Sequence, residues 1–275
     1  MKNYGFNEEL VVIEPEAYIL GGKSKVPTDI FRPDGQWKTP IYEPQAEKYE
    51  TAGCTVWGAQ NQIEIFFKEV FGFEPNYDER FIYQIVGIRR EDGGTNPQNV
   101  YESIRKHGLI DNEPMPETYD EFTDRSYLTV ERLEKGKKWI REEYDFYHDW
   151  LSDTSKETIK SALMLSPIAI SVTAWQKDKD GLYISNGEPN GHWCVVYGYK
   201  EEHKGKKGIF LKVFDSYDHS KKILHPDHHI AVAKRIYIRK RVPGENPVVS
   251  TVVWSLFKFN LVQYIRKWYN IFTKQ

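Results

Sequence analysis

Two cysteines occur in the chain, Cys54 and Cys194, and the first has the setting for covalent chemistry. Cys54 follows Gly53 and heads a segment in which Val56, Trp57, Ile63, Phe66, Phe67 and Val70 recur at helical spacing as far as Gly72. A helix N-terminus offers unsatisfied backbone N–H groups and the positive end of the helix dipole; these favour a thiolate and can bind an oxyanion. A lone cysteine at a helix start is more often a small buried residue. To act as a nucleophile it needs a base, and the base needs a group that orients it.

Both partners come from one hairpin in the second half. HWCVVYGY (192–199) and IFLKVFD (209–215) alternate with period two and read as strands, with EEHKGKKG (201–208) as the connecting loop. If Glu201 faces Gly208, His192 faces residue 217 or a position or two before it. Imidazole and carboxylate then fall at one end of the sheet, where opposed Cα atoms lie about 5 Å apart. This register leaves Asp215, Ser216 and Tyr217 all within reach. Cys194 shares a strand face with His192 but has no helix dipole behind it, and reads as core.

The elements that position these residues change character along the chain. After a lead-in over 1–40, rich in Pro, Gly and charge, come the helix from Cys54, a second over Asp78–Val86 ended by Gly87, and a third over Gln98–His107 opened by Pro97 and stopped by Gly108. Residues 127–165 mix charged and aromatic residues in a pattern that predicts mostly helix. From Ile168 the period becomes two, giving strands at 168–175, 192–199, 209–215 and 234–240. Helices first and antiparallel strands second describe an α+β fold. A net charge of −2 on 275 residues provides no electrostatic pull toward nucleic acid. The first twenty-two residues hold four glutamates and no apolar run of signal-peptide length, so the expectation is a cytoplasmic, reducing compartment that preserves a thiol.

Five stretches in order resemble the papain family of cysteine peptidases. They are TAGCTVWGAQNQIE (51–64), EDGGTNPQNVYESIRKHGLIDNEPMPE (91–117), SPIAISVTAW (166–175), GHWCVVYGYK (191–200) and FLKVFDSYD (210–218). The likeness is greatest to the compact papain-like peptidases of tailed-phage and prophage genomes, which suggests virion association as one setting. The Cys-to-His offset of about 140 residues suits such enzymes. The resemblance implies a two-lobed fold over 41–242, helical in the first lobe and antiparallel, β-barrel-like in the second. It assigns Cys54 as nucleophile, His192 as base and Asp215 as the orienting group, where the family has Asn. It assigns Gly93 and Gly94 to binding the substrate backbone, and implies a protein or peptide substrate with neither cofactor nor metal. The family's oxyanion Gln lies six residues before the nucleophile, where this chain has Lys48; the nearest glutamine is Gln45, nine before. With no long propeptide helix ahead of Cys54, control of activity must come from elsewhere.

Rival readings are a Cys–His cell-wall hydrolase and an inert papain-like virion or structural protein. HSKKILHPDHH (219–229) gathers His219, His225, His228 and His229, but lacks metal-site spacing and reads as a solvated loop. The tail 243–275 is apolar, aromatic and basic. It reads as a helical element that packs on its own domain or, through 247–275, meets a membrane surface or a partner.

Overall fold

The computed structural model describes residues 6, 11, 13, 19–20, 26–41, 43–189, 191–218 and 220–242. The chain divides into two compact units, Met1–Arg239 and Lys240–Gln275, and every site residue discussed below belongs to the first. The helix expected over 243–275, most of the lead-in before residue 26, and His219 lie outside the described residues.

The helical lobe contains α1 (Cys54–Val70), α2 (Glu79–Val86), α3 (Pro97–His107), α4 (Tyr119–Thr123) and α5 (Val130–Lys138). Local signals set the ends of these helices. Asp78 caps α2 by accepting the Phe81 N–H, and Asn96 caps α3 with Pro97 in its first turn. Helix α1 is buried along almost its whole length, from Cys54 to Phe67, which suits a central helix packed on several sides.

The remaining elements are β1 (Ile19–Leu20), β2 (Tyr144–Leu151), α6 (Lys156–Leu163), β3 (Ile168–Val172), β4 (Gln176–Lys177), β5 (Tyr183–Ile184), β6 (His192–His203), β7 (Lys206–Phe214), β8 (Lys222–Ile223) and β9 (Ala233–Lys240). Among the described residues seven strands form one sheet in the order β1-β2-β9-β3-β6-β7-β8, which stays open, and β4 pairs with β5 separately. Strands β3, β6, β7 and β8 run antiparallel to their neighbours, as the period-two pattern predicts.

Two local expectations need adjustment. Residues 127–165 are mostly helical, through α5, a π-helical turn over Trp139–Glu143 and α6, but the strand β2 interrupts them. YDFYHDWL is buried at all but one position, and its carboxylates are cross-strand partners: Asp149 binds Arg235 at 2.9 Å and Asp145 binds Arg239 at 2.6 Å, both arginines on β9. The 201–208 segment is likewise strand, not loop, except for a two-residue turn at Lys204–Gly205. There φ is 50° and 78°, the left-handed pair that matches the twist of a tight hairpin. Two irregularities in the β6–β7 register, between Val196 and Gly198 and between Lys200 and Glu202, cancel, and Val195 faces Phe214.

Candidate active site

Cys54 is the first residue of α1, and the loop ahead of it is tied at each step. Thr51 Oγ1 donates to the Gln45 carbonyl (3.1 Å) and accepts from the Gly53 N–H (3.2 Å), while the Tyr83 hydroxyl donates to the Thr51 carbonyl (2.8 Å). Glu50 accepts the Ala52 N–H at 2.8 Å, and Ala52 sits at φ 52°, a strained position for a residue with a Cβ. Gly53 has no room for a side chain: a Cβ there would lie 2.5 Å from the Trp57 ring. The N–H groups of Val56 and Trp57 both go to the Gly53 carbonyl, so those of Cys54 and Thr55 precede the first intrahelical bonds.

The opposing wall is the start of β6. Gly58, one turn along α1 from Cys54, meets Trp193, and a Cβ on Gly58 would lie 2.7 Å from Trp193 Cδ1. This close approach brings the Trp193 backbone N–H to hydrogen-bond the Cys54 sulfur. Next to Trp193 is His192, whose Nε2–H donates to Asp215 Oδ1 at 2.6 Å. Asp215 thus engages the imidazole through Nε2. Trp175 and Tyr217 cover the imidazole edge-on, with centroids 5.6 and 5.4 Å away, and the Tyr217 hydroxyl donates to Glu50 at 2.6 Å.

Asp215 is held from its other side by Lys222, whose Nζ is 2.9 Å from Oδ2. Burial alone would raise the Asp215 pKa, but His192 and Lys222 outweigh it and bring it down to about 2. Burial also pushes the Cys54 thiol up, reinforced by Asp215 and Glu50, while the Trp193 and Thr55 N–H groups pull the other way. Cys54 and His192 are both 0% exposed, so the closed site favours the thiol over the thiolate.

No family model and no curated protein matches the sequence. Solved structures do match. The Amb a 11 cysteine protease of ragweed pollen in its proform aligns with a TM-score of 0.55 at 14% identity, over 81% of this chain and 69% of that one. The cysteine protease and lectin-like domains of Cwp84 from Clostridium difficile align at 0.57 and 12%, over 74% and 50%, so about half of that chain has no counterpart here. The bromelain protease of Ananas comosus, solved with the E64 inhibitor, aligns at 0.53 and 15%, over 79% of this chain and all of its own. The fold is papain-like. These proteins give no support to a phage setting.

Within this papain-like fold the hairpin brings His192 and Asp215 together, and α1 packs Cys54 against the residue beside His192. Gln45 is buried in the same place: its N–H donates to the Ser216 carbonyl (3.0 Å) and its Oε1 accepts from the Ser216 hydroxyl (2.6 Å). Lys48 instead points to the Met115 carbonyl and Glu117. Gly93 and Gly94 take φ 70° and 118°. Thr95, which follows them, is bridged in parallel by Phe6, whose fully buried ring stacks on Trp193 at 5.5 Å.

The 219–229 loop is less solvated than expected. His228 is buried, its Nδ1 is 3.1 Å from the Tyr183 carbonyl, and burial lowers its pKa to about 4. Among the described residues no three His, Cys, Asp or Glu side chains gather as a metal would require, and no helix is long and apolar enough to cross a membrane. The sequence reading missed Glu50 and Lys222. A signal for the second was present: a buried Asp in place of a neutral Asn requires a cation nearby.

Proposed function

We propose that this chain is a cysteine-type peptidase in which Cys54 is the nucleophile, His192 the base and Asp215 the group that orients the base. The observation that carries the reading is that Cys54, at a helix N-terminus, meets the backbone N–H of Trp193, the neighbour in sequence of His192, whose Nε2 is 2.6 Å from Asp215. A helix N-terminus, a base and a carboxylate in that order are what thiol acyl transfer needs.

In this mechanism the Cys54 proton passes to His192 Nδ1, and the sulfur adds to a peptide carbonyl. The developing oxyanion is taken by the Cys54 N–H and by Gln45 Nε2, which is aimed by the hydrogen bond from Ser216 to Gln45 Oε1. His192 then protonates the leaving amine, the thioester forms, and water attacks it with His192 again as base. Gly93 and Gly94 line the path of an extended substrate backbone, a role that the parallel bridge between Phe6 and Thr95 supports by analogy.

The test is labelling with E64 followed by mass spectrometry, beside assays on a protein substrate and on peptidoglycan. Alkylation confined to Cys54, with cleavage of protein abolished in Cys54→Ala and His192→Ala, is expected. Clearing of the cell wall alone would favour the cell-wall hydrolase, and a Cys54 that reacts with small thiol reagents but never with the epoxide would leave the site inert.

A further inference from the structure

The orienting residue raises a charge problem that the triad does not solve. Asp215 is 1% exposed, and a buried carboxylate is costly unless paired. His192 pairs it as a cation only while the imidazole is protonated, and in the peptidase reading the ring alternates between neutral and charged at each step. An amide at this position would need no counter-ion. A carboxylate needs one that does not titrate with the cycle.

Lys222 meets that requirement. It lies on β8, paired with Val213 of β7, two residues before Asp215. Its side chain is 0% exposed, with Nζ 2.9 Å from Asp215 Oδ2 and 2.6 Å from Asp218 Oδ1. Ser220 Oγ is 3.1 Å away, and the rings of Trp175 and Tyr183 flank the ammonium at 5.2 and 5.8 Å. Trp175 is also the ring that covers His192. Lysine, carboxylate and imidazole thus form one buried row in which both Asp215 oxygens are engaged, Oδ1 by His192 and Oδ2 by Lys222.

We propose that Lys222 is a positioning residue of this site: a permanent counter-ion that keeps Asp215 a carboxylate through both protonation states of His192 and so keeps the ring fixed. The proposal rests on the peptidase reading for its use, though the pairing can be tested without turnover. The other charged or titratable groups bearing on Asp215 are Asp218 beyond Lys222, the Cys54 and Cys194 thiols, and Glu50 through Tyr217. None of these is a cation, so removal of Lys222 leaves His192 as the one positive partner among the described groups.

The experiment compares Lys222→Met, Asp215→Asn and the double variant, with thermal melts to establish folding. Lys222→Met is expected to lower kcat/KM by 10- to 100-fold at neutral pH and to move the acid limb of the pH profile up by about one unit, because Asp215 then takes a proton sooner. In the Asp215→Asn background there is no carboxylate to neutralise, so adding Lys222→Met should change kcat/KM by less than about threefold and leave the acid limb in place. A loss of the same size in both backgrounds, or an unshifted profile, overturns the proposal. If Lys222→Met alone fails to fold, recovery of folding in the double variant supports the charge pairing and continued failure overturns it. The proton NMR signal of the His192 Nε2–H donor gives a readout without substrate. It should disappear at higher pH in Lys222→Met than in wild type. An inactive wild type would therefore overturn the peptidase reading while this signal still decides the role of Lys222.

Discussion

His192 Nε2 and Asp215 Oδ1 are 2.6 Å apart, and both side chains are sealed from solvent. This pair links the site to stability in acid. Asp215 has a folded pKa of about 2 against an ordinary value of 3.8. A depressed carboxylate stabilises the fold above the unfolded value and loses that contribution as pH falls through the folded one, here between about pH 4 and 2. The linkage amounts to roughly 2 kcal/mol. Melting temperature in this window should fall less steeply for Asp215→Asn than for wild type. Parallel curves would mean that Asp215 is not the titrating group.

Gln45 rather than Lys48 is expected to serve the oxyanion. Gln45→Ala should lower kcat by about 10²-fold or more with KM little changed, the signature of a donor used in the transition state. Lys48→Ala, which removes a half-exposed contact to Glu117 and the Met115 carbonyl, should stay within about twofold. Steady-state kinetics on one peptide substrate would separate the two, and equal losses would remove the distinction.

The sealed nucleophile leads to a third expectation, centred on Phe6. Its ring is fully buried against Trp193, and its backbone bridges Thr95 beside Gly93 and Gly94, where a substrate backbone would run in the proposed mechanism. Stacked aromatic pairs contribute about 0.5–1.5 kcal/mol beyond area burial. Phe6→Ala should therefore open the cleft more often and raise the second-order rate of Cys54 alkylation by several-fold to about tenfold. A rate equal to wild type in a folded variant would show that Phe6 does not gate Cys54.

Much of this arrangement was legible in the sequence because it rests on local signals. Gly53 before an apolar 3.6-residue period locates Cys54, the caps Asp78 and Asn96 with Pro97 locate α2 and α3, and the two halves of the β6–β7 hairpin give a register in which Asp215 reaches His192. The rest depends on partners far away in the chain. Strand β2 was hidden because Asp145 and Asp149 look like helix surface until Arg235 and Arg239 stand opposite them. Lys222 was hidden because nothing local distinguishes it from Lys221; its meaning comes from the buried charge it faces. Phe6 was hidden because an aromatic among several scattered through a charged lead-in has no periodicity to report where it docks.

Gly58 sets how closely α1 can approach the start of β6, and so where Cys54 lies relative to the strand that carries His192. A methyl group at position 58 would lie 2.7 Å from Trp193 Cδ1 and 3.3 Å from the Trp193 carbonyl oxygen, so either the indole swings away or α1 and β6 separate. Overpacking of this kind costs about 1–3 kcal/mol. The larger consequence is positional, since the same strand residue carries the N–H that reaches the Cys54 sulfur and adjoins His192. Misplacement by an ångström costs about 10²-fold in rate. Gly58→Ala should thus lower kcat far more than its loss of stability explains at temperatures where the variant stays folded. Shortening the clashing ring in a Gly58→Ala, Trp193→Leu double variant should recover part of that rate. If the double variant is no faster than the single one, the carbonyl contact rather than the indole controls the spacing. If Gly58→Ala retains full activity, the approach of α1 to β6 is not what holds the pair together.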